Sequence, residues 1–237
     1  MIIPINIKTD IIYINLIEGI DYMKAKAIKI DKPKIIGDLE QIEDIYDEII
    51  YADSIKEKLV ENIEIHNKND RAITIDSCIF KNVVFSACSF NNVDLIDSRF
   101  ENCDLSNVDF NSASIERVEF INCKLVGSRF DESSLKNVVF DNSLARYSNF
   151  SFSKIRKANF SNSNFDEAIF QEVKLTDVLF NNNSFVNSYF DKTSLNKVDL
   201  SSCDIMGIGL QIEDIKGAIV SPTQGLELTR LMGLIIK

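Results

Sequence analysis

SRFEN-CDLSN-VDFNS, residues 98–112, contains the pattern that decides the fold: each group of five has a large apolar residue at its centre and a small residue two positions earlier. The pattern runs from Ile75 to Val220, where all thirty residues whose number divides by five are apolar. A period of five matches neither an α-helix, with about 3.6 residues per turn, nor a strand, with a period of about 2. It is typical of repeat proteins, in which each unit buries its apolar face by stacking on its neighbours.

Segments 103–107 and 108–112 each follow the order small residue, polar residue, central Leu or Phe, and two polar residues. In this the chain resembles the pentapeptide-repeat family, over about two thirds of its length. The resemblance implies an all-β solenoid, a right-handed quadrilateral β-helix in which four pentapeptides form one coil and the central and small residues point inward. We therefore expect a non-repeat N-terminal region and cap over residues 1–70, the pentapeptide-repeat β-helix over residues 71–220, and a C-terminal capping and dimerisation helix with its tail over residues 221–237.

Four pentapeptides per coil predict a second period of twenty residues, and the central residues have it. Face 1 of the coil carries phenylalanine from Phe80 to Phe180 in steps of twenty, and face 3 carries it from Phe90 to Phe190. Face 4 is aliphatic from Leu95 to Ile215, whereas face 2, from Phe85 to Ile205, is mixed and includes the undersized Ala145. At roughly 4.8 Å per coil, the rod would be about 35 Å long.

An asparagine recurs at the same spacing of twenty, two positions after the centres of face 1. The recurring residues are Asn82, Asn102, Asn122, Asn142, Asn162 and Asn182. Asparagine tolerates turn geometry and can hydrogen-bond along its own ladder. We therefore expect these residues to form one corner of the coil.

The first 70 residues lack the clear repeat. Alternating isoleucines over residues 3–7 indicate a short strand, and Met23 could be the natural start, which would make residues 1–22 an extension. Residues 38–64 fit either a charged helix with Asp38 as its cap or a degenerate first coil. We expect this region to act as a cap that shields the backbone groups of the first coil.

The C-terminal segment has a helix-start signal. Ser221, Pro222 and Gln224 form a capping-box pattern, and Gly233 can end the helix in the left-handed conformation. One helical side is expected to carry Leu228, Leu231, Met232 and Ile235. The segment is more apolar than one helix can turn onto the end of a coil, so we expect a two-fold dimer. The candidate seam consists of Leu226, Leu228, Leu231, Met232, Leu234, Ile235 and Ile236.

No catalytic site is visible in the sequence. The single histidine, His66, lies outside the expected repeat, and there is no nucleophile with a base, Gly-rich phosphate loop or spaced metal-ligand set. The cysteines all occupy the small inward position, so we expect buried thiols in a reducing cytosol, without a metal site or a disulfide framework. They are Cys78, Cys88, Cys103, Cys123 and Cys203. We expect no enzyme activity, no cofactor and no small-molecule substrate.

The sequence also lacks signals for membranes or secretion. No apolar run is long enough to cross a membrane as a helix, and the start lacks a basic segment ahead of a long apolar one. We therefore expect a cytoplasmic protein that does not bind membranes.

Charge is unevenly distributed. The chain has 36 acidic and 26 basic residues, with a net charge of −10 at pH 7. Within the repeat, leaving Arg71 aside, face 4 holds eight basic and seven acidic residues, whereas the other three faces together hold six basic and thirteen acidic ones. A rod with three acidic faces has the sign of charge of a DNA duplex. Direct binding of nucleic acid is disfavoured for the same reason.

Two segments, residues 115–130 and 217–224, are similar to the Qnr-type branch of the family, and the undersized centre within residues 144–147 is similar to a local break in that branch. The resemblance implies a bacterial, dimeric rod that mimics DNA, binds DNA gyrase or topoisomerase IV and protects the enzyme from quinolones. Several Qnr proteins carry projecting loops needed for protection, whereas the thirty units here run without an insertion. The alternative function is a general protein–protein interaction scaffold for another partner.

Candidate partner-binding residues occupy outward positions of the repeat. The acidic candidates are Asp104, Asp109, Asp131, Glu132, Asp166, Glu167 and Glu172. Two outward aromatic residues, Tyr147 and Phe152, lie close to Ala145 in the repeat. They either pack over the gap that Ala145 leaves or are anchors for a partner.

Overall fold

A computed structural model describes residues 2–7, 10–15, 28–35 and 37–235, so the possible start at Met23 lies outside the described residues. From Ser54 to Ile219 the backbone winds as a parallel β-solenoid, in which residues twenty positions apart pair on neighbouring coils. This confirms the solenoid and the period of twenty that the sequence predicts.

The strands follow the coils of the solenoid. In chain order they are β1 Ile2–Ile7, β2 Asp10–Asn15, β3 Glu40–Gln41, β4 Ser54–Lys56, β5 Lys58–Glu61, β6 Glu64–His66, β7 Asn69–Arg71, β8 Thr74–Asp76, β9 Ile79–Lys81, β10 Val84–Ser86, β11 Ser89–Asn91, β12 Asp94–Glu101, β13 Ser114–Ile121, β14 Ser134–Asp141, β15 Lys154–Ser161 and β16 Lys174–Asn181. Strands β1 and β2 form an antiparallel pair, and the others pair in parallel. From β12 to β16 each strand covers face 4 and face 1 together, while isolated bridges between turns hold faces 2 and 3.

The corners of the coil have a left-handed backbone over most of the rod. From Glu57 to Lys197, each residue two positions after a centre has a φ between +49° and +70°. Among residues with a side chain, asparagine adopts this conformation most readily. The predicted asparagine ladder is confirmed, because side chains of successive coils from Asn62 to Asn142 hydrogen-bond to one another at 2.7–3.3 Å.

Phenylalanine rings fill the core in the predicted columns. Successive ring centroids along face 3 are 4.7–5.8 Å apart. The fully buried Phe130 stacks on Phe110 and Phe150 and meets Phe140 edge to face. Offset stacking and edge-to-face contact are the arrangements that aromatic pairs prefer, so the columns hold successive coils in register.

Phenylalanine rings from two coils meet next to the undersized Ala145. The ring of Phe165, one coil further on, lies 6.2 Å from both Phe140 and Phe150 of the coil that contains Ala145.

The small inward residues form a second ladder inside the rod. Ser128 Oγ donates a hydrogen bond to the carbonyl oxygen of Leu105, twenty-three residues earlier, at 2.7 Å. The Nδ2 of Asn183 likewise donates a hydrogen bond to the carbonyl oxygen of Phe160, twenty-three residues earlier. All five cysteines occupy this position as buried thiols, as predicted, and burial raises the pKa of Cys78 to about 11.

The repeat begins before residue 71, the boundary expected from the sequence. Ile55, Val60 and Ile65 are buried central residues, and β4 pairs in register with β8. The five-residue frame of these three residues, visible in the sequence, therefore belongs to a degenerate first coil. His66 lies in this coil, within β6, and not outside the repeat.

Residues 37–53 precede the first coil and cover its open end. Their helical part is a single π-helical turn over Tyr46–Ile50, so the predicted role of Asp38 as a helix cap is wrong. Asp44 Oδ1 instead accepts a hydrogen bond from the Tyr46 N–H at 2.8 Å. The helical spacing of the isoleucines in this region suggested a longer helix than this single turn, in which only Ile49 is buried.

A buried lysine joins this cap to the first coil. Lys68 occupies a small inward position, is fully buried, and donates to the carbonyl oxygens of Ile50 and Ala52 at 3.0 and 2.9 Å. It also forms an ion pair with Asp70. The charge is thus compensated by three oxygen atoms, as a buried ammonium group requires.

An extended segment, residues 28–35, lies along the corner between face 4 and face 1. The Lys34 N–H donates to Asp97 Oδ1 at 2.8 Å, and the Asp31 N–H donates to Asn137 Oδ1 at 3.2 Å. Because Asp97 and Asn137 occupy the same corner two coils apart, the segment runs parallel to the rod axis. We call residues 28–35 the strap.

Helix α1, Pro222–Leu228, closes the C-terminal end and has the predicted capping box. The Ser221 N–H donates to Gln224 Oε1 at 2.7 Å, and the Gln224 N–H donates to Ser221 Oγ at 3.3 Å. Gln224 Nε2 also donates to the carbonyl oxygens of Leu200 and Cys203. One buried side chain therefore caps the helix and binds it to the last coil.

The chain after α1 changes helix type. A 3₁₀ turn, Thr229–Met232, follows, and Gly233 ends it at φ +71°, in the predicted left-handed conformation. The expected single helical side is broken by this change, because Leu228 and Leu231 are half-buried whereas Ile235 is exposed.

Candidate interaction surfaces

Charged side chains on neighbouring coils pair along the rod axis. Outward residues twenty positions apart lie on adjacent strands, about 4.8 Å apart, and at seven such places one is acidic and the other basic. The pairs, with N···O distances of 2.6–3.8 Å, are Glu61–Lys81, Asp97–Arg117, Arg99–Glu119, Asp104–Lys124, Asp109–Arg129, Glu116–Lys136 and Glu172–Lys192. Much of the rod surface therefore alternates in sign along its axis.

Most of the acidic candidates form ion pairs, either between adjacent coils or with a nearby arginine. Besides the three in adjacent-coil pairs, Asp131 binds Arg129 at 3.0 Å and Glu167 binds Arg146 at 3.1 Å. The candidates in ion pairs are thus Asp104, Asp109, Asp131, Glu167 and Glu172. Opposite charges on one face weaken its negative potential, because their fields cancel within a short distance.

Two acidic candidates have no ion-pair partner in the part of the chain that the structure describes. Glu132 is exposed at a left-handed corner with φ +59°. Asp166 accepts hydrogen bonds from neutral groups, the Val186 N–H at 3.1 Å and Asn164 Nδ2 at 3.0 Å among them. Glu132 is therefore the acidic candidate most accessible to a cationic partner.

Hydrogen bonds favour the ionised form of two carboxyl groups in the ion pairs, those of Asp104 and Glu116. Burial raises the pKa of Asp104, but hydrogen bonds from Ser106 and Lys124 outweigh this effect and hold the pKa below its ordinary value. A hydrogen bond from Lys136 lowers the pKa of Glu116. At these two positions a neighbouring cation, rather than protonation, offsets the negative charge.

Tyr147 and Phe152 point outward from rigid corners. Their φ angles are +60° and +62°, and they are 49% and 51% exposed. The Arg146 guanidinium lies over the Tyr147 ring, 5.1 Å from its centroid, and is itself held by Glu167. An exposed aromatic ring held in place loses little entropy on binding, which suits an anchor residue. Tyr189 on face 3 is similarly exposed. The sequence analysis did not select it as a candidate anchor, although its outward position in the repeat predicts its exposure.

The C-terminal candidates are only partly covered by the rod. Leu228 and Leu231 are half-buried, and Ile236 lies outside the described residues. The remaining candidates are between 55% and 88% exposed: Leu226, Met232, Leu234 and Ile235. So many exposed apolar side chains at one end of a chain are typical of a surface that another molecule covers.

The described residues contain no group of three or more His, Cys, Asp or Glu side chains placed to hold a metal ion. Within the same residues, no helix has both the length and the apolar character needed to cross a membrane.

Family comparisons agree with the repeat. Residues 93–170 and 113–190 match a model described as a pentapeptide repeat region. Residues 40–130 match a second model, described as the SV2A/B/C luminal domain. No curated protein matches the chain.

Solved structures with similar coils include full-length QnrB1, described as a plasmid-mediated fluoroquinolone resistance protein. It is 16% identical with a TM-score of 0.44, and the match covers 74% of this chain and all of that one. A trypsin-treated variant of QnrB1 is 19% identical with a TM-score of 0.43, covering 83% and 96% of the two chains. HetL of the cyanobacterium Nostoc sp. strain PCC 7120, a protein involved in heterocyst differentiation regulation, is 16% identical with a TM-score of 0.35, covering 70% and 89%. At these identities and TM-scores, nothing about binding partners follows from the likeness.

Proposed function

Since this chain is a pentapeptide-repeat protein, we propose that it works by binding another protein through the sides of its rod, without catalysis or a cofactor. The observation that carries this proposal is the pair of half-exposed aromatic residues, Tyr147 and Phe152, fixed outward at adjacent corners. Around them the outward side chains form flat faces in register, a surface that a folded partner can contact over several coils.

We further propose that the partner is a type II topoisomerase, DNA gyrase or topoisomerase IV, which the rod binds as a DNA mimic and protects from quinolones. The similarity of residues 115–130 and 217–224 to the Qnr-type branch supports this partner. So do the net charge of −10 and the excess of acidic residues on faces 1 to 3. Such a function belongs in the cytoplasm of a bacterium.

The paired charges restrict how the rod could imitate DNA. A duplex presents phosphates of one sign at regular spacing, whereas many acidic residues here are followed by a cation one coil later. The proposed contact therefore relies on Glu132, the exposed one of the two acidic candidates without an ion pair among the described residues, and on the aromatic anchors near it. A continuous row of carboxylates contributes less.

A supercoiling assay with purified gyrase tests this function. We expect wild-type protein at micromolar concentration to inhibit supercoiling, or to restore it in the presence of a quinolone, and Glu132→Lys and Tyr147→Ala each to weaken the effect about tenfold. Tyr51→Ala, which removes an exposed tyrosine from the N-terminal cap, is the matched control and should change nothing. No effect of the wild-type protein on gyrase or topoisomerase IV would remove the topoisomerase proposal.

The alternative is a scaffold that binds a different protein, and the alternation of charge along the axis favours it. In that case the wild-type protein leaves both topoisomerases unaffected, while Tyr147→Ala and Phe152→Ala still abolish capture of a partner from lysate of the host. Capture that both variants leave unchanged would contradict the aromatic anchors themselves.

We also propose that two copies join through their C-terminal ends as a two-fold dimer. The exposed Leu226, Met232, Leu234 and Ile235 support this arrangement. A two-fold seam presents the same apolar patch on both chains, so that each covers the other.

A further inference from the structure

Face 4 contains a groove that the proposed function does not use. It has a volume of about 330 Å³ and its floor is formed by Leu135 and Ile155. Two rows of side chains border it along the rod axis: Ser134, Lys154 and Lys174 in one, Lys136, Arg156 and Thr176 in the other.

Like charges are stacked in this groove. Lys154 lies in register with Lys174, and Lys136 lies in register with Arg156. Like charges directly opposite each other on neighbouring strands destabilise a sheet. Elsewhere on the rod, residues in the same relation form the acid–base pairs described above.

Most of these cations are uncompensated. Lys136 binds Glu116 at 2.6 Å, but Lys154, Arg156 and Lys174 are exposed and have no ion-pair partner among the described residues. The groove therefore concentrates positive charge on a protein whose net charge is −10.

The strap adds further cations beside the groove. Its Lys29, Lys32 and Lys34 are exposed. The hydrogen bond from the Asp31 N–H to Asn137, the residue that follows Lys136, places the strap at the border of the groove. The basic surface therefore extends along the rod axis beyond the groove itself.

We propose that this groove binds an extended acidic segment of a partner protein, with the backbone of the segment running along the rod axis between the two rows. An extended chain projects alternate side chains to opposite sides, so its carboxylates would meet one row and then the other. The strap itself shows that an extended backbone can lie along this rod, held by side chains two coils apart.

Two other polyanions suit the groove less well. A nucleic acid would find no aromatic ring among the lining residues on which to stack a base, and a duplex longer than the groove would meet the acidic residues of the other faces. A free oligophosphate is too short to contact both the groove and the strap.

This inference does not depend on the topoisomerase proposal, because no residue that lines the groove is among the residues proposed to contact the topoisomerase. Loss of gyrase binding would leave the groove untouched, and an empty groove would leave the aromatic anchors untouched. A negative result in the supercoiling assay therefore leaves the groove proposal standing, and a negative result in the peptide-binding assay leaves the topoisomerase proposal standing.

Fluorescence anisotropy with a labelled peptide of alternating Glu and Ser, about eight residues long, tests the groove. We expect micromolar binding at low salt that weakens as salt is raised, and a loss of about tenfold or more in affinity for the double variant Lys154→Glu, Lys174→Glu. The matched control is Lys124→Glu, Lys192→Glu, which makes the same charge change on faces 2 and 3, and it should lose less than about twofold. Melting curves establish that both variants are folded.

Several outcomes would overturn the proposal. Equal losses in the two double variants mean that net charge alone attracts the peptide. Absence of peptide binding to the wild-type protein removes the acidic-segment proposal directly. Tighter binding of tripolyphosphate or of a short DNA duplex, lost in the face 4 variant, makes the groove a phosphate site instead.

Discussion

At the scale of the residue, inward and outward positions differ in how well they tolerate substitution. Central positions were predictable because only large apolar side chains fill the rod. The other inward positions were predictable because they are filled mainly by small buried side chains, such as Val108, Ala113 and Ser128. The left-handed corners were predictable only where asparagine occupies them. Tyr147 and Phe152 adopt the same backbone conformation, although bulky residues rarely do, because the coils on either side impose it.

A pair of phenylalanines measures this difference. Phe130→Ala should lower the free energy of unfolding by about 3–5 kcal/mol, because it leaves a cavity between two stacked rings. Phe152→Ala, at a half-exposed corner, should cost less than about 1 kcal/mol. Urea unfolding of both variants checks the prediction, and equal losses would show that the inward and outward positions are misassigned.

At the scale of the element, the repeat could be predicted well and its ends only in part. The capping box of α1 could be predicted because its residues are close in the sequence. The first coil was harder to assign, because Asp70 occupies a central position and Lys68 a small one, both exceptions to the pattern. The strap had no sequence signal at all, since its contacts with Asp97 and Asn137 join residues 63 and 106 positions apart.

Gln224 joins two elements, and its substitution tests that junction. Gln224→Glu keeps an acceptor for the Ser221 N–H but removes the donor to Leu200 and Cys203 and places a carboxylate against their carbonyl oxygens. We expect a loss of about 2–4 kcal/mol in the free energy of unfolding. Gln171→Glu, whose side chain makes no hydrogen bond among the described residues, is the control and should lose less than about 0.5 kcal/mol.

At the scale of the whole molecule, surface charge was the part that composition described least well. Net charge and face totals indicated three acidic sides, but the seven ion pairs along the axis arise from residues twenty apart. The spacing was available in the sequence, because Asp104 and Lys124 occupy equivalent positions of successive coils. A column-by-column comparison of charges, like the one made for the central residues, would have found both these pairs and the stacked cations of face 4.

The proposed dimer is tested at the same scale. Ile235→Glu and Leu226→Glu should convert a dimer into a monomer in sedimentation experiments, because each places two charges in a symmetric apolar seam. Met206→Glu alters a similarly exposed apolar residue on face 2 and should leave the dimer intact. A wild-type protein that is monomeric at tens of micromolar, or a dimer indifferent to both seam variants, contradicts the proposal.

The pairing of residues twenty apart also limits how the gene for such a rod can change in length. Loss or gain of one residue would move every later central residue to an outward position. Loss of a single pentapeptide would move each later column to the next face, placing aliphatic centres over phenylalanine rings. Removal or duplication of one whole coil preserves every column, every corner and both ends. We therefore expect viable length variants of this protein to differ by whole coils, in steps of about 4.8 Å along the axis.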